Sequence, residues 1–580
     1  MRKLIALLLA LALVVGLVPA AFAKTYTLDI YWIANVTSDA VYADLANALG
    51  SGGGIGDAVN EAVGKALAGG DADNDAIRKS AQEAIVEYLS KSAEEAVGEY
   101  LSDANLQTIR IIKGVEKAIN AYLAQLHKEK KIKDMEVSFH LFFWDPVWTE
   151  QAIGALMDDQ KIDLIFTADW EGYVKEIQAG KLTPLGNLLE TDGKDILNTL
   201  SSDFLEGVKV NGEVYGIPTN KELCVPSGII VNKTAAEEIG WDLSEYEADA
   251  TKKITTEELE PWLAAYKEKY PDKYPYLMEK DRWSDEPWGH EWIGLEEDVL
   301  DMKFAKDEKG EYNETVYSIY ETEEQEKHIR LMYDWMQKGY IDPGAADPNF
   351  NYNAVFGSGD FLVFTQPLKG NNFKSIEMYG ANHKPGDPDF ECTEIIMQDK
   401  YKVTNQAGGS MFAIPKSSKK KDVAMQYLNL MHSDPTLVNL MLFGEEGVNY
   451  TKANDQQVEL VDDANWYGMH GGAWTVGNTK LQYVLTTEDP EKNAKLQEYA
   501  LDAPMTASYG FRFDKNKAET LDAVTEVVQK FARGLMVGAV DPDDPELGLE
   551  AFRKALKEAG IDELKAEVEA QYKDWKDSLK

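Results

Sequence analysis

The apolar positions of this chain switch between two periods. In residues 25–33, Tyr26, Leu28 and Ile30 alternate with Thr25, Thr27 and Asp29, the period of a strand with one buried face. Residues 135–144 and 163–167 are denser runs of apolar and aromatic residues and read as two further strands. Val115, Ile119, Tyr122 and Leu123, and later Val174 and Ile177, recur at helical spacing. Strands alternating with helices in this way predict a doubly wound α/β lobe. Ligands of such lobes sit outside the carboxyl ends of the strands. Asp145 and Trp170 fall at or just past such ends.

The pattern changes character in residues 210–233. Asn211-Gly212 separates two short apolar runs and is a hairpin turn signal. A Pro-containing extended stretch with the charged pair Lys221-Glu222 follows, then the β-branched run Ile229-Ile230-Val231. Further on, residues 259–270 read as helix, and Pro271 and Pro275 argue against its continuation. Residues 282–292 read as a loop carrying Trp283, Trp288 and Trp292. A long amphipathic helix is expected over 323–340, with His328, Ile329, Met332, Trp335 and Met336 on one side. Residues 357–365 read as a loop into a strand, 412–414 as a strand and 422–432 as a helix. The tail from 515 to 580 is helical, broken at Asp541-Pro542-Asp543-Asp544-Pro545. One segment interrupts the early alternation. A Gly-rich linker at 50–56 leads into Ala-rich sequence in which Ile77, Ala84, Ile85, Tyr88 and Leu89 are spaced as on a helix, so 37–104 is expected to be a helical insertion.

Composition narrows the class. A chain of 580 residues exceeds one compact core and predicts at least two lobes. It has 59 Lys and Arg against 100 Asp and Glu, a formal charge of −41. That balance argues against nucleic acid, whose phosphates need clustered cations, and against an anionic membrane surface. Arg2-Lys3, the apolar run 4–18 and Ala21-Phe22-Ala23 have the layout of a cleavable signal peptide over 1–23, an uncleaved anchor being the alternative. The expected location is extracellular, cell-surface or periplasmic. Lys24 follows the cut, so there is no lipobox cysteine. With only Cys224 and Cys392, the fold does not rest on a disulfide framework, and whether the two pair is open.

Several segments, in order, carry a family resemblance. Residues 210–233 resemble the first inter-lobe crossover of the extracellular solute-binding proteins (family 1) of ABC importers. Residues 161–170, KIDLIFTADW, are similar to that family's strand end, and 180–185, GKLTPL, to the turn after it. Residues 410–415, SMFAIP, with the helix ending at His432-Ser433-Asp434-Pro435, resemble the return crossover, and FGEEG at 443–447 followed by Tyr450 resembles the loop after it. Residues 474–478, WTVGN, and the tail from 510 resemble a carbohydrate-type subgroup with a helical C-terminal extension. The resemblance implies a type II periplasmic-binding-protein-like α/β fold: two doubly wound lobes joined by crossover hinge strands. The helical insertion, read into lobe one from its own residues, departs from the family's usual pattern and is not covered by the resemblance. Lobe one is expected at 24–219 with a return at 410–455, lobe two at 220–409 and 456–580. It implies a monomer that captures a carbohydrate, an oligosaccharide, by hinge closure about 220–226 and 406–410 and delivers it to an ABC importer transmembrane permease. No cofactor and no metal is implied.

A sugar presents flat C–H faces and a rim of hydroxyls, so its site needs an aromatic platform and planar polar groups. Trp170 is the leading platform, with plugging of the lobe surface as the alternative. Asp169 either accepts hydroxyl hydrogen bonds or caps the helix starting near Gly172. Glu222 and Lys221 are either a ligand clamp or a solvated turn, and the resemblance favours the clamp. Trp474 and Asn478 are implied on the second lobe, opposite Trp170, with core packing of Trp474 as the alternative. Trp288, with Trp283 and Trp292, either lines the far end of a long cleft or belongs to a small aromatic satellite core, and Trp144 and Asp145, with Trp148, pose the same choice near the edge of the first lobe. Signals for an enzyme are thin. His290-Glu291 lacks the second His of H-E-x-x-H, G-x-S-x-G is absent, and Gly64-Lys65 is followed by Ala66 and not by Ser or Thr. Asp71, Asp73 and Asp75 imitate a calcium loop, but Ala76 and Gln82 stand where Gly and Glu are needed. The competing readings are an exported glycan-active hydrolase and a cell-surface scaffold protein.

Overall fold

The computed structural model describes residues 25–33, 103–142, 157, 162–224, 226–278, 290–292, 299–303, 314–347, 350–383, 386–461 and 469–580. The signal segment at 1–23, nearly all of the insertion at 37–104, and Trp144, Asp145, Trp283 and Trp288 lie outside the described residues. The chain divides into two compact units: Met1–Lys221 with Gly408–Asn493, and Glu222–Ala407 with Ala494–Lys580.

Unit one is built on a five-stranded sheet in the order Met135–Phe142, Tyr26–Ile33, Leu164–Thr167, Met411–Ala413, Gly216–Pro218. The first three run parallel, with Leu28 opposite Val137 and Ile30 opposite both Phe139 and Leu164. These side chains are buried, which is what the alternating pattern requires. Met411–Ala413 returns antiparallel between Leu164–Thr167 and Gly216–Pro218. The helix Asp103–Lys128 buries Val115, Ile119 and Leu123. Asn120 fastens it to the edge strand, accepting from Val137 N at 2.7 Å and donating to Val137 O at 2.9 Å. Tyr122 departs from the apolar reading, since its hydroxyl donates to Asp434 at 2.8 Å. Burial and that carboxylate push the Tyr122 phenol up to about 12.

The hairpin at Asn211-Gly212 joins Lys209–Val210 to Glu213–Val214, and both turn residues have positive φ, 52° and 82°. That is the type I′ geometry which favours Asn-Gly. A second anchor sits where Leu164–Thr167 begins. Buried Asp163 accepts from Ser418 Oγ at 2.6 Å, Lys420 Nζ at 2.7 Å and Asp29 N at 3.1 Å.

The assignment of 456–493 to lobe two is corrected. Gln457–Leu460 is hydrogen-bonded between Tyr450–Lys452 and Val484–Leu485 in one small sheet. Buried Asn439 donates to Leu481 O at 2.8 Å. These bonds hold the segment in unit one, so the third crossing falls at 493/494, inside the helix Lys492–Tyr499. The first two fall at 221/222 and 407/408.

Unit two has a four-stranded sheet ordered Cys392–Ile396, Ser227–Asn232, Val363–Pro367, Tyr276–Leu277. Ser227–Asn232 runs antiparallel to both neighbours, and its Ile229, Ile230 and Val231 are fully buried. Val363–Pro367 and Tyr276–Leu277 are parallel. At Gly228 a Cβ would strike the Leu368 side chain and come within 2.5 Å of Ile395 O, so only glycine lets these strands close. The helix Glu323–Gln337 buries His328, Ile329, Met332 and Trp335. The helix expected from 259 starts earlier, at Thr256, because Thr255 and Glu258 form a capping box there. The tail forms helices Leu521–Met536, Leu549–Ala559 and Ile561–Ser578, whose apolar faces share a core with Leu300, Met302, Ile319 and Tyr320. Residues 290–292, expected in a loop, form a strand antiparallel to Leu300–Lys303. No helix among the described residues is long and apolar enough to cross a membrane.

Candidate functional site

In unit one the strand Leu164–Thr167 ends at buried Ala168, and Asp169–Glu171 turn as a short 3-10 segment. Gly172, at φ 87°, redirects the chain into the helix Tyr173–Gln178. Two hydrogen bonds fix this turn against the return segment: Asp169 N donates to Gly408 O at 2.8 Å, and Trp170 Nε1 donates to Gly409 O at 2.9 Å. The indole ring lies 6.0 Å from Phe166 and 6.4 Å from Trp474, centroid to centroid. Phe166 meets Trp474 edge-on at 6.0 Å. Trp170 nevertheless keeps 39% of its surface exposed, and Trp474 is half-buried. The result is an aromatic platform with immobilised rings just past a strand's carboxyl end.

Trp474 therefore stands beside Trp170 on the same unit, and its expected place on the second lobe is corrected. The reason lies in contacts with distant parts of the chain. Gly477, at φ 50°, packs so closely that a Cβ would collide with Met431 O. Asn220 N donates to Gly477 O at 2.8 Å, while Thr479 returns bonds to Asn220 O from N at 3.1 Å and Oγ1 at 2.8 Å. Asn478 is buried in this knot. Its Nδ2 donates to His432 O at 3.3 Å, and its Oδ1 accepts from Asn220 Nδ2 at 3.1 Å and Lys480 N at 3.2 Å. Those bonds give Asn478 a scaffolding place. Burial pushes the adjacent His432 imidazole down to about 3, so it stays neutral. The helix Tyr173–Gln178 has Gly172 at its N-cap and no side-chain cap, so Asp169 does not cap it. The Asp169 side chain is half-buried, and Lys221, the last residue of unit one, is buried.

Unit two begins with Glu222, which is buried. Its Oε1 lies 3.6 Å from Lys369 Nζ, and the same ammonium pairs with Glu377 at 2.7 Å. Lys374 approaches Glu377 at 3.3 Å. Burial alone would depress Lys369, but the carboxylates of Glu377 and Glu222 overcome it and hold the ammonium above the ordinary lysine range. Lys369 stands just past the carboxyl end of Val363–Pro367. After it, Gly370, Asn371 and Asn372 all take left-handed φ, at 74°, 53° and 58°. Asn372 can hold that conformation because its Oδ1 accepts from Glu394 N at 2.8 Å. Glu394 in turn accepts from Ser375 N at 2.8 Å, in the first turn of the helix Phe373–Asn382. Its second carboxylate oxygen is buried without a hydrogen-bond partner, and burial pushes the carboxyl up to about 7. The Tyr499 ring packs against Gly370. Cys224 is buried, its thiol pushed up to about 12, and neither it nor Cys392 is in a disulfide. Among the described residues no group of His, Cys, Asp or Glu is arranged to hold a metal ion.

Sequence reasoning missed Lys369, Glu377 and Tyr499. The available signal was Gly-Asn-Asn directly after a strand, which marks a left-handed loop and hence a shaped strand end.

The chain belongs to the bacterial extracellular solute-binding protein family, whose model matches residues 144–447. Residues 507–577, the helical tail, match a domain of unknown function. A carbohydrate ABC transporter substrate-binding protein of Streptococcus pneumoniae is 25% identical over 425 residues, which is 69% of this chain and 77% of that protein. Among solved structures, the N-glycan transport solute-binding protein NgtS of S. pneumoniae superposes with a TM-score of 0.66 at 20% identity, covering 80% of this chain and 96% of that one. The same protein in complex with Man1GlcNAc gives 0.61 with the same coverage. These likenesses place the chain in the two-lobed type II fold of periplasmic solute-binding proteins.

Proposed function

We propose that this protein captures a neutral oligosaccharide outside the cell and hands it to an ABC importer permease, working as a monomer without chemical turnover. The observation that carries this reading is the platform of Trp170. A partly exposed indole, locked by a 2.9 Å hydrogen bond to Gly409 O and backed by Trp474, offers a flat apolar face. The C–H face of a pyranose matches it. Asp169 and Lys221 in unit one and Glu222 in unit two are the proposed polar contacts for hydroxyls. The formal charge of −41 favours a neutral ligand over an anionic one. The carbohydrate transporter relative and the glycan complex of NgtS support the ligand class. Ligand binding would shift the protein toward the form the permease recognises, by its greater affinity for that form.

A thermal-shift screen of the secreted protein against neutral oligosaccharides, acidic sugars and peptides tests this. A ligand at about 100 times its dissociation constant adds about 2.7 kcal/mol to stability. The expected result is a saturable shift with neutral oligosaccharides and no new product by chromatography. Shifts with peptides alone, or release of shorter glycans, contradict it.

A further inference from the structure

We propose that Lys369 is the positioning residue of the polar subsite in unit two, holding the Glu222 carboxylate ionised and aimed for sugar hydroxyls. This rests on the reading of Glu222 as a ligand contact.

Glu222 is buried, and a buried carboxylate ionises at neutral pH only beside compensating charge or hydrogen bonds. The ammonium of Lys369 supplies charge from 3.6 Å, on a side chain only 16% exposed. Its second partner, Glu377 at 2.7 Å, lies on the helix Phe373–Asn382 and is the more exposed of the two carboxylates, at 39% against 9%. Glu377 thus anchors the ammonium from the outside, and Glu222 takes its inner face. The loop that delivers Lys369 is held independently by the left-handed run Gly370-Asn371-Asn372, by the Asn372–Glu394 bond and by the Tyr499 ring against Gly370. Such a backbone is over-determined, as a residue that must aim another requires. The titratable groups facing the ammonium are Glu222 on the crossover, Glu377 and Lys374 on the helix, and Glu394 on the strand Cys392–Ile396. With Glu222 and Glu377 both paired to it, the ammonium is committed inside the protein and does not serve as a receptor for an anionic sugar.

The test is calorimetry of the secreted protein with a neutral oligosaccharide found by the screen, from pH 5 to 8, on wild type, E222Q, K369M and K369R. Expected for wild type is an affinity that varies less than about threefold. K369M removes the nearby positive charge, so Glu222 protonates at higher pH, and affinity should fall at least about tenfold more at pH 5 than at pH 8. K369R should restore the flat profile. If E222Q binds like wild type, the Glu222 reading fails, and this inference with it. If E222Q weakens binding while K369M keeps the wild-type profile, the inference alone is overturned. A K369M defect that is uniform in pH, and equal in K369R, also overturns it, because that pattern is a purely structural loss. Should K369M not fold, the carboxyl 13C titration of Glu222 in wild type and K369R decides. A midpoint below pH 5 in both supports the proposal, and a midpoint above pH 6 in wild type overturns it.

Discussion

Replacing Trp170 by alanine removes the exposed face of the aromatic platform. A Trp side chain offers up to about 250 Å². With 39% exposed, about 100 Å² is open to a ligand. Covering all of it at about 25 cal/mol per Å² is worth about 2.5 kcal/mol, and covering half about 1.2 kcal/mol. At 1.4 kcal/mol per decade, W170A should weaken a neutral oligosaccharide by roughly 8-fold to 60-fold. The same variant loses the bond to Gly409 O and the packing on Phe166 and Trp474, so its melting temperature should also fall. W170F, which keeps a ring but not the donor, separates the two effects and should recover part of the affinity. Calorimetry on variants shown to be folded by circular dichroism gives the numbers. A folded W170A that binds every sugar ligand within twofold of wild type would refute the platform.

Asp163→Ala takes the carboxylate from three donors, Ser418 Oγ, Lys420 Nζ and Asp29 N, and should cost about 2–4 kcal/mol in urea unfolding while leaving ligand stoichiometry unchanged. Gly228→Ala forces apart the central strands of unit two and should cost about 2–3 kcal/mol or prevent secretion of folded protein. Glu394 carries a folded-state value near 7, above the ordinary 4.5 for a glutamate. The folded protein thus holds a proton that the unfolded chain has lost between those values, and stability falls as pH rises through that window. Glu394→Gln should therefore gain about 3 kcal/mol over wild type above pH 7, with the gain vanishing below pH 4.5 in denaturation curves. Cys224 should resist thiol reagents at pH 8 in the native protein, and two free thiols should react after denaturation without reductant.

What the sequence made legible was local or strongly periodic. Asn211-Gly212 encodes its own turn, and the alternation at Leu28 and Ile30 encodes a buried face, although Tyr26 at the start of the pattern is exposed. The long helix at 323–337 follows from Ile329, Met332 and Trp335 at helical spacing. Features made by distant pairing were not legible. The strand at 290–292 exists through its bonds to Leu300–Lys303, and nothing in its own residues demands them. Placing Trp474 beside Trp170 depends on Gly477 against Met431 and Asn220 against Asn478, contacts across tens or hundreds of residues. The third crossing lies inside a continuous helix, where no proline or glycine marks it. Lys369 was hidden for the same reason in part: Glu377 follows it closely on the next helix, but Glu222 comes from a distant part of the chain.

The central claim is that Trp170 and its neighbours receive a neutral sugar. Quenching or enhancement of tryptophan emission on titration with a neutral oligosaccharide, in wild type and W170F side by side, tests it most directly. A saturable change at one ligand per protein in wild type, diminished in W170F, is the predicted result. Saturable calorimetric binding of the same sugar with an emission change identical in both proteins would contradict it.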